Sequence, residues 1–267
     1  MRACLEHKCD RDVLKTYELE RKPVALSLID FDRAHVPLFS NKDHLRDNAK
    51  PSPKTLCRCQ NAYIEALSES TGINIQYQTN ALVAAAESGD SGLARNVTIG
   101  QRLRNVKLIN QSDGVMVRLH KLIKPDGKFR LLVFPGDLSR KPDADRFYEL
   151  GQELTSLSQG KVIGRLIGRQ LDVITVHAGK RLDIELLDLH EAFHPWSDEG
   201  WDYWKVYVDG LARLEGPCSV YETLGIGEDG CMILLRPDGY VSMISGMSEV
   251  DRVGNFLAGL FKAVLRQ

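Results

Sequence analysis

FRLLVFPGDLSRKPDADRFYELGQELTSLSQGKVIGRLIGRQLDVITVH, residues 129–177, is the stretch that decides the fold. FRLLVF is an apolar run of strand length, and the PGDLSRKPDAD loop after it supplies turn residues and an Asp to cap the next helix. That helix places Phe147, Leu150, Leu154 and Leu157 on one face. LDVITVH is a second strand of the buried type, so the unit is β-α-β, with parallel strands and a right-handed crossover. Downstream, CMILL and YVSMI flank Arg236-Pro237-Asp238-Gly239, whose turn chemistry makes an antiparallel hairpin. The last element starts at the capping-box-like Ser248-Glu249-Val250-Asp251 and shows Val250, Val253, Phe256, Leu257, Leu260, Phe261 and Val264 on one wide apolar face. The order β-α-β then β-β-α predicts an α/β chain with a thioredoxin-like domain.

The thioredoxin order invites a redox reading, which the residues refuse. A reactive thiol pair belongs in the loop ahead of the first helix, where the helix N-terminus lowers its pKa. That loop here holds no cysteine.

Upstream, Val13, Leu14 and Tyr17, then Val24, Leu28 and Phe31, recur at helical spacing, with Pro23 as a kink or restart point. Such a face needs cover. Asn41 to Lys54 reads as a linker, Asn61 to Leu67 as a short helical patch, and Gly72 to about Val117 as short β-like pieces broken by the AAAESGDSGLA loop. The expected organisation is a helical segment and linker over 1–60, a mixed helix/β connection over 61–127, and the thioredoxin-like domain over 128–267.

Composition narrows the class. The 267 residues are enough for one large domain or two modest ones. With 43% hydrophobic residues and 35 Lys+Arg against 36 Asp+Glu, neither a disordered tail nor a polybasic nucleic-acid binder fits. Residues 95–130 carry nine Lys/Arg and residues 181–230 twelve Asp/Glu, which reads as solvated faces or a self-complementary dimer contact, since no nucleic-acid reader motif accompanies them. No apolar run approaches the roughly 18–20 residues that span a bilayer, and MRACLEHKCDRD carries charges where a secretory signal would place its apolar stretch, so export is not expected. The six scattered cysteines, Cys57-Arg58-Cys59 included, read as ordinary thiols. A cytoplasmic location is expected.

LLVFPGDLS, DVITVH, DYWKVYVD, YETLGI and RPDGYVSMI, in that order, resemble the C-terminal thioredoxin-like dimerisation domain of fungal flavin-dependent phenol 2-monooxygenases. IGQRLRNVKLINQSDGVMVRLHKLIKPDGKFRLLVF is similar to the connection leading into that domain, and LKTYELERKPVALSLIDFDRAHVPLFS to the helical end of the family's flavin domain. The resemblance implies a homodimer or association with a flavoprotein. It also implies that flavin and phenol contacts belong to a part of the family not represented here. Gly225-Ile226-Gly227-Glu228-Asp229-Gly230 has the letters of G-x-G-x-x-G but lies in an acidic loop that runs into the apolar CMILL run with no following helix, and reads as a turn. No cofactor or metal is therefore expected. Two departures stand out: relatives read RPDQYV where this chain has Gly239, and GLARLEGPCS replaces their Ser-Tyr-His-rich stretch.

Two constellations remain. His190-Glu191-Ala192-Phe193-His194 matches H-E-x-x-H, in which histidines one helical turn apart hold zinc, with Glu215 or Glu222 as a third ligand. Pro195 ends any helix at once, which favours a solvated helix without metal. All three tryptophans, Trp196, Trp201 and Trp204, fall within nine residues beside Tyr203 and Tyr207. Either Trp204, Val206 and Val208 form a core face of a strand with Tyr207 opposite, or the loop closes over a flat aromatic ligand. On the second reading Trp196 and Trp201 bind the ring while His194 and Tyr203 are the catalytic candidates. His120 and His177 read as structural.

The function expected from these observations is a flavin-free member acting on a phenolic or polyketide-derived aromatic small molecule of fungal secondary metabolism. The step would be non-redox: cyclisation, cycloaddition, dehydration or isomerisation. The alternatives are a dimerisation or accessory module, or a truncated remnant. Self-sufficient monooxygenation is not expected.

Overall fold

The computed structural model describes residues 4, 6, 9–40, 75–156, 162–198, 200–209 and 219–262. The Asn41–Lys54 linker, the Cys57/Cys59 pair, the 61–67 patch, Leu157, Val264, Glu215, Cys218 and nearly all of the GLARLEGPCS stretch lie outside the described residues. In chain order the elements are α1 (Lys15–Ser40), α2 (Asp90–Leu93), β1 (Lys107–Asn110), β2 (Met116–Arg118), α3 (Leu119–Leu122), β3 (Phe129–Phe134), α4 (Lys141–Thr155), α5 (Ile163–Leu166), β4 (Leu171–His177), β5 (Trp196–Ser197), β6 (Gly200–Trp201), β7 (Val206–Val208), α6 (Val220–Leu224), β8 (Cys231–Leu235), β9 (Val241–Ser245) and α7 (Val250–Leu260).

β3 and β4 pair in parallel across α4, β3 pairs antiparallel with β8, and β8 with β9. The order β4-β3-β8-β9, with α4 and α7 packed on the sheet, is the thioredoxin-like arrangement. Three further strands extend it to a seven-stranded sheet, β2-β1-β7-β4-β3-β8-β9. The sheet therefore crosses the boundary expected at 127/128: β1 and β2 join it because β7, parallel to β4, pairs antiparallel with β1.

Successive residues of each central strand point to opposite faces. Leu131, Val133, Val173, Met232 and Leu234 pack with Phe147, Leu150, Leu154, Val253 and Leu257 on the face covered by α4 and α7. Leu132, Phe134, Ile174, Val176, Ile233 and Leu235 pack with Leu108, Tyr207 and Leu224 on the other. Each such buried side chain stabilises the fold by about 1.5–3 kcal/mol.

Local details depart from the expectations. Arg140, not an Asp, stands at the N-cap of α4. Asp143 lies buried in the first turn instead, accepting the Asp137 N–H at 3.2 Å and pairing with Arg146 at 2.5 Å. α7 begins at Val250, and its expected capping box is replaced by the Glu249 carboxylate reaching back to the Gly246 N–H at 2.7 Å. α1 runs on through Pro23 without a break. Between residues 75 and 106 the expected β pieces are irregular segments held by isolated bridges and hydrogen bonds, because their polar groups pair with the edge of β9: Ala84 N–H to the Ser242 carbonyl and Val241 N–H to that of Gln101, both at 2.9 Å.

The first turns of α1 dock on the sheet by charge. Glu20 forms a buried, two-pronged ion pair with Arg236 at 2.5 and 3.1 Å. The guanidinium lies 5.3 Å from the Tyr77 ring centroid and 5.7 Å from that of Tyr240. Leu14, Tyr17, Leu19, Leu26, Leu28 and Ile29 of the same segment remain exposed. No described helix is long and apolar enough to cross a membrane.

Candidate functional site

β5 and β6 form a two-residue ribbon in which Trp196 faces Trp201 and Ser197 faces Gly200. Gly200 turns the chain at φ +106°, a conformation that L side chains rarely adopt. The two indoles meet edge to face at 5.0 Å. Next to them opens a cleft of about 750 Å³, lined by Trp196, Trp201, Tyr203, Trp204 and Tyr207 together with Leu122 and the charged Lys124, Asp172, Asp202 and Lys205.

The loop carrying these side chains is fixed from below. Buried Asn110 donates from Nδ2 to the Tyr203 carbonyl at 3.1 Å, and the Tyr207 hydroxyl donates to the Trp204 carbonyl at 2.9 Å. Burial pushes the Tyr207 phenol up to about 12, the Asn110 contact opposing, so it stays protonated and keeps donating. Trp204 departs from its expected core place. It lies in the turn before β7 and is 61% exposed, while Val206 and Tyr207 do take opposite faces of the strand.

Polar anchoring comes from charges placed on neighbouring strands. Arg130 is opposite Asp172 in the β3–β4 register. Asp172 holds Lys205 Nζ at 2.6 Å and faces Arg130 Nε at 3.3 Å; Arg130, fully buried, also reaches Asp126 at 2.7 Å. Asp202 stands 3.6 Å from Lys205.

Of the four site residues read from the sequence, Trp196, Trp201 and Tyr203 come together on the cleft and His194 does not. His194 is 2% exposed, donates from Nε2 to the Leu189 carbonyl at 2.7 Å, and packs against the Trp201 ring at 5.1 Å. It props the indole from behind. Sequence reasoning missed Asp172, Lys205 and Lys124. The available signal was a charge of each sign at the second position of two largely apolar strands, Arg130 and Asp172.

The H-E-x-x-H stretch forms no helix. Glu191–Phe193 is one 3-10 turn, and the LDIELLDL stretch before it holds two more such turns, at Arg181–Asp183 and Leu186–Asp188. His190 Nδ1 accepts the Ala192 N–H at 3.2 Å, so the two histidines serve local backbone groups. Among the described residues no group of three or more His, Cys, Asp or Glu side chains could hold a metal ion. The His190 ring lies against Gly151 of α4, where an added Cβ would stand 2.5 Å from its Cγ. Gly151→Ala is therefore expected to destabilise by about 1–2 kcal/mol in urea unfolding, because overpacking outweighs the helix-propensity gain of under about 1 kcal/mol. In a His190→Gly background the same substitution should become stabilising.

The Gly225-Ile226-Gly227 stretch is a turn, with Gly225 closing α6 at φ +66° and a strand, not a helix, following. The PGDLSR turn ahead of α4 holds no thiol, and its Gly136 N–H is taken by the Tyr221 hydroxyl at 2.9 Å. These features define a thioredoxin-like domain without a thiol pair at the usual position, extended by an aromatic-walled cleft.

Residues 75–264 match the phenol hydroxylase C-terminal dimerisation domain, and the chain belongs to that family. It is similar to phenol 2-monooxygenase fsqG of Aspergillus fumigatus, 41% identical over 97% of this chain and 42% of that protein. FAD-dependent monooxygenase ankC of Aspergillus thermomutatus is 33% identical over 97% of this chain and 41% of its own length. The chain thus spans about two fifths of the length of the curated relatives it matches. Among solved structures, a thiol:disulfide interchange protein from Bacteroides sp. is 16% identical, with a TM-score of 0.40 over 61% of this chain and 93% of that one.

Proposed function

We propose that this chain binds a flat phenolic or polyketide-derived aromatic in the tryptophan-walled cleft and steers a non-redox step on it, such as cyclisation, cycloaddition, dehydration or isomerisation. The observation that carries the reading is the cleft itself: about 750 Å³ lined by three indoles and two phenols, with a few polar groups. The relatives' names include an enzyme acting on phenol, which supports the ligand class. Indole walls hold a ring by stacking and keep water from a reactive quinonoid ligand, and the Tyr203 hydroxyl on the wall is the proton donor within reach. His194 takes a positioning role through Trp201.

All three tryptophans of the protein line the cleft, so intrinsic fluorescence reports on it alone. Titration with a phenolic ligand is expected to quench saturably, and Trp201→Leu to weaken binding by about tenfold or more. Tyr203→Phe should retain binding and lose turnover. Absence of saturable binding would overturn the reading, and a purified protein that is yellow with flavin absorbance would overturn its flavin-free part.

A second reading, a dimerisation or accessory module for a flavoprotein, is favoured by the exposed Leu14, Tyr17, Leu19, Leu26, Leu28 and Ile29 on one segment. Light scattering on the purified chain, alone and with a flavoprotein relative, tests it; a monomer in both would exclude it.

A further inference from the structure

We infer that the cleft selects aromatics carrying an anionic oxygen, a carboxylate or a phenolate, with Lys205 and Lys124 as its anchors. The inference rests on the aromatic-binding reading and adds the chemistry of the second recognition element.

Lys205 is 20% exposed at its side chain and sits among the cleft residues with its ammonium held by Asp172 at 2.6 Å. An ammonium has three N–H donors. Among the described residues only this one contact lies within hydrogen-bond distance, since Asp202 stands off at 3.6 Å. Lys205 thus brings spare donor capacity to a fixed place. The fixing matters, because a tethered ammonium loses less side-chain freedom on binding than a loose one.

Lys124 lines the cleft as well, and among the described residues its ammonium meets no carboxylate. The local charges explain why an anion, not a cation, completes the set. Both carboxylates on the cleft, Asp172 and Asp202, already face Lys205, and Asp172 is shared in addition with the buried Arg130. That leaves Lys124 as the one charged side chain of the cleft lining with no ion-pair partner among the described residues, and its sign is positive. A ring stacked on the indoles with an oxygen anion at its edge fits both halves of the site. A neutral ring of the same shape satisfies only the first.

The experiment compares 2-naphthoate with its neutral counterpart 2-naphthamide, by calorimetry and tryptophan fluorescence, on the full chain. 2-Naphthoate is expected to bind about tenfold more tightly at low salt, with the advantage shrinking as ionic strength rises. Lys205→Met and Lys124→Met should each reduce the preference, and the double variant should abolish it while keeping the 2-naphthamide affinity. Thermal unfolding checks that the variants are folded; Arg130 still faces Asp172 when Lys205 is removed. Equal binding of the two ligands by the unmodified protein, or a preference unchanged in the folded double variant, would overturn the anionic anchor and leave the aromatic reading standing. Failure of both ligands to bind would overturn the two together.

Discussion

Asp172→Ala is expected to lower the free energy of unfolding by about 3 kcal/mol, the low end of what breaking a buried ion pair costs. The carboxylate stands between two cations, Lys205 at 2.6 Å and Arg130 at 3.3 Å, and the Arg130 side chain has no solvent exposure at all. Removing Asp172 leaves Arg130 with Asp126 at 2.7 Å and two carbonyl contacts, those of Lys128 at 2.9 Å and Phe129 at 3.4 Å, which keeps the cost from rising further. Lys205 keeps only Asp202 at 3.6 Å. The penalty is mostly that of a charge left without its partner in a low-dielectric place, so it should shrink when the charge goes too. An Arg130→Met/Asp172→Leu double variant is expected to recover most of the loss in urea unfolding. A cost below about 1 kcal/mol for Asp172→Ala would place this network among exposed, weakly contributing pairs.

The central fold was readable because its signals are local and repeated. FRLLVF and LDVITVH have no polar face to offer solvent, so each needs cover on both sides, and the helical face of Phe147, Leu150 and Leu154 supplies it on one side. The Pro237-Asp238-Gly239 turn was equally legible, because φ +83° at Gly239 is a conformation that Gly adopts at no steric cost. What escaped was non-local. The segment 75–106 takes backbone partners from the edge of β9, the turn before it and the end of α6, all more than 100 residues away, and no periodicity within the segment encodes that. Capping failed for a related reason: Glu249 and Asp143 both act at helix starts, but on loop N–H groups several residues back instead of on the helix's own first turn.

At the site, aromatic density carried the reading and charge did not. Trp196, Trp201 and Tyr203 stand close in sequence and therefore close in space on a short ribbon. His194 is equally close in sequence, yet one 3-10 turn rotates it inward, where its ring donates to a carbonyl. Trp204 shows the converse: strand alternation placed it in the core, but the strand begins two residues later, after a turn in which its own N–H goes to Asp202 at 3.0 Å. Asp172 and Lys205 meet only because β4 lies beside β7, a parallel pairing across the 28 intervening residues 178–205 that no local pattern announces.

Lowering the pH from 7 to 4 is expected to cost the protein about 3 kcal/mol through one side chain, His177. Its imidazole is fully buried at the end of β4. Gln111 defines its tautomer. The Gln111 amide donates both ways, to the carbonyls of Arg181 at 2.9 Å and Ile184 at 2.6 Å, so its oxygen accepts, and His177 Nε2 at 3.1 Å must be the donor. Nδ1 is then the site a second proton would occupy, and it is buried with no hydrogen-bond partner. Burial holds the imidazole down at about 4 against an ordinary 6.5, the negative charge of Asp137 and the Gly179 backbone opposing. The folded state thus refuses a proton that the unfolded chain accepts. Stability from this group is complete above pH 6.5, falls as pH drops through the window from 6.5 to 4, and is lost below it. Carboxylates held low by cations, such as Asp126 beside Arg130, contribute their losses beneath that window. Comparing slopes therefore isolates the histidine: between pH 7 and 4 the unfolding free energy of His177→Gln should fall by about 3 kcal/mol less than that of the unmodified protein, whatever its absolute stability. A ring titration observed near 6.5 by NMR in the folded protein would refute the assignment.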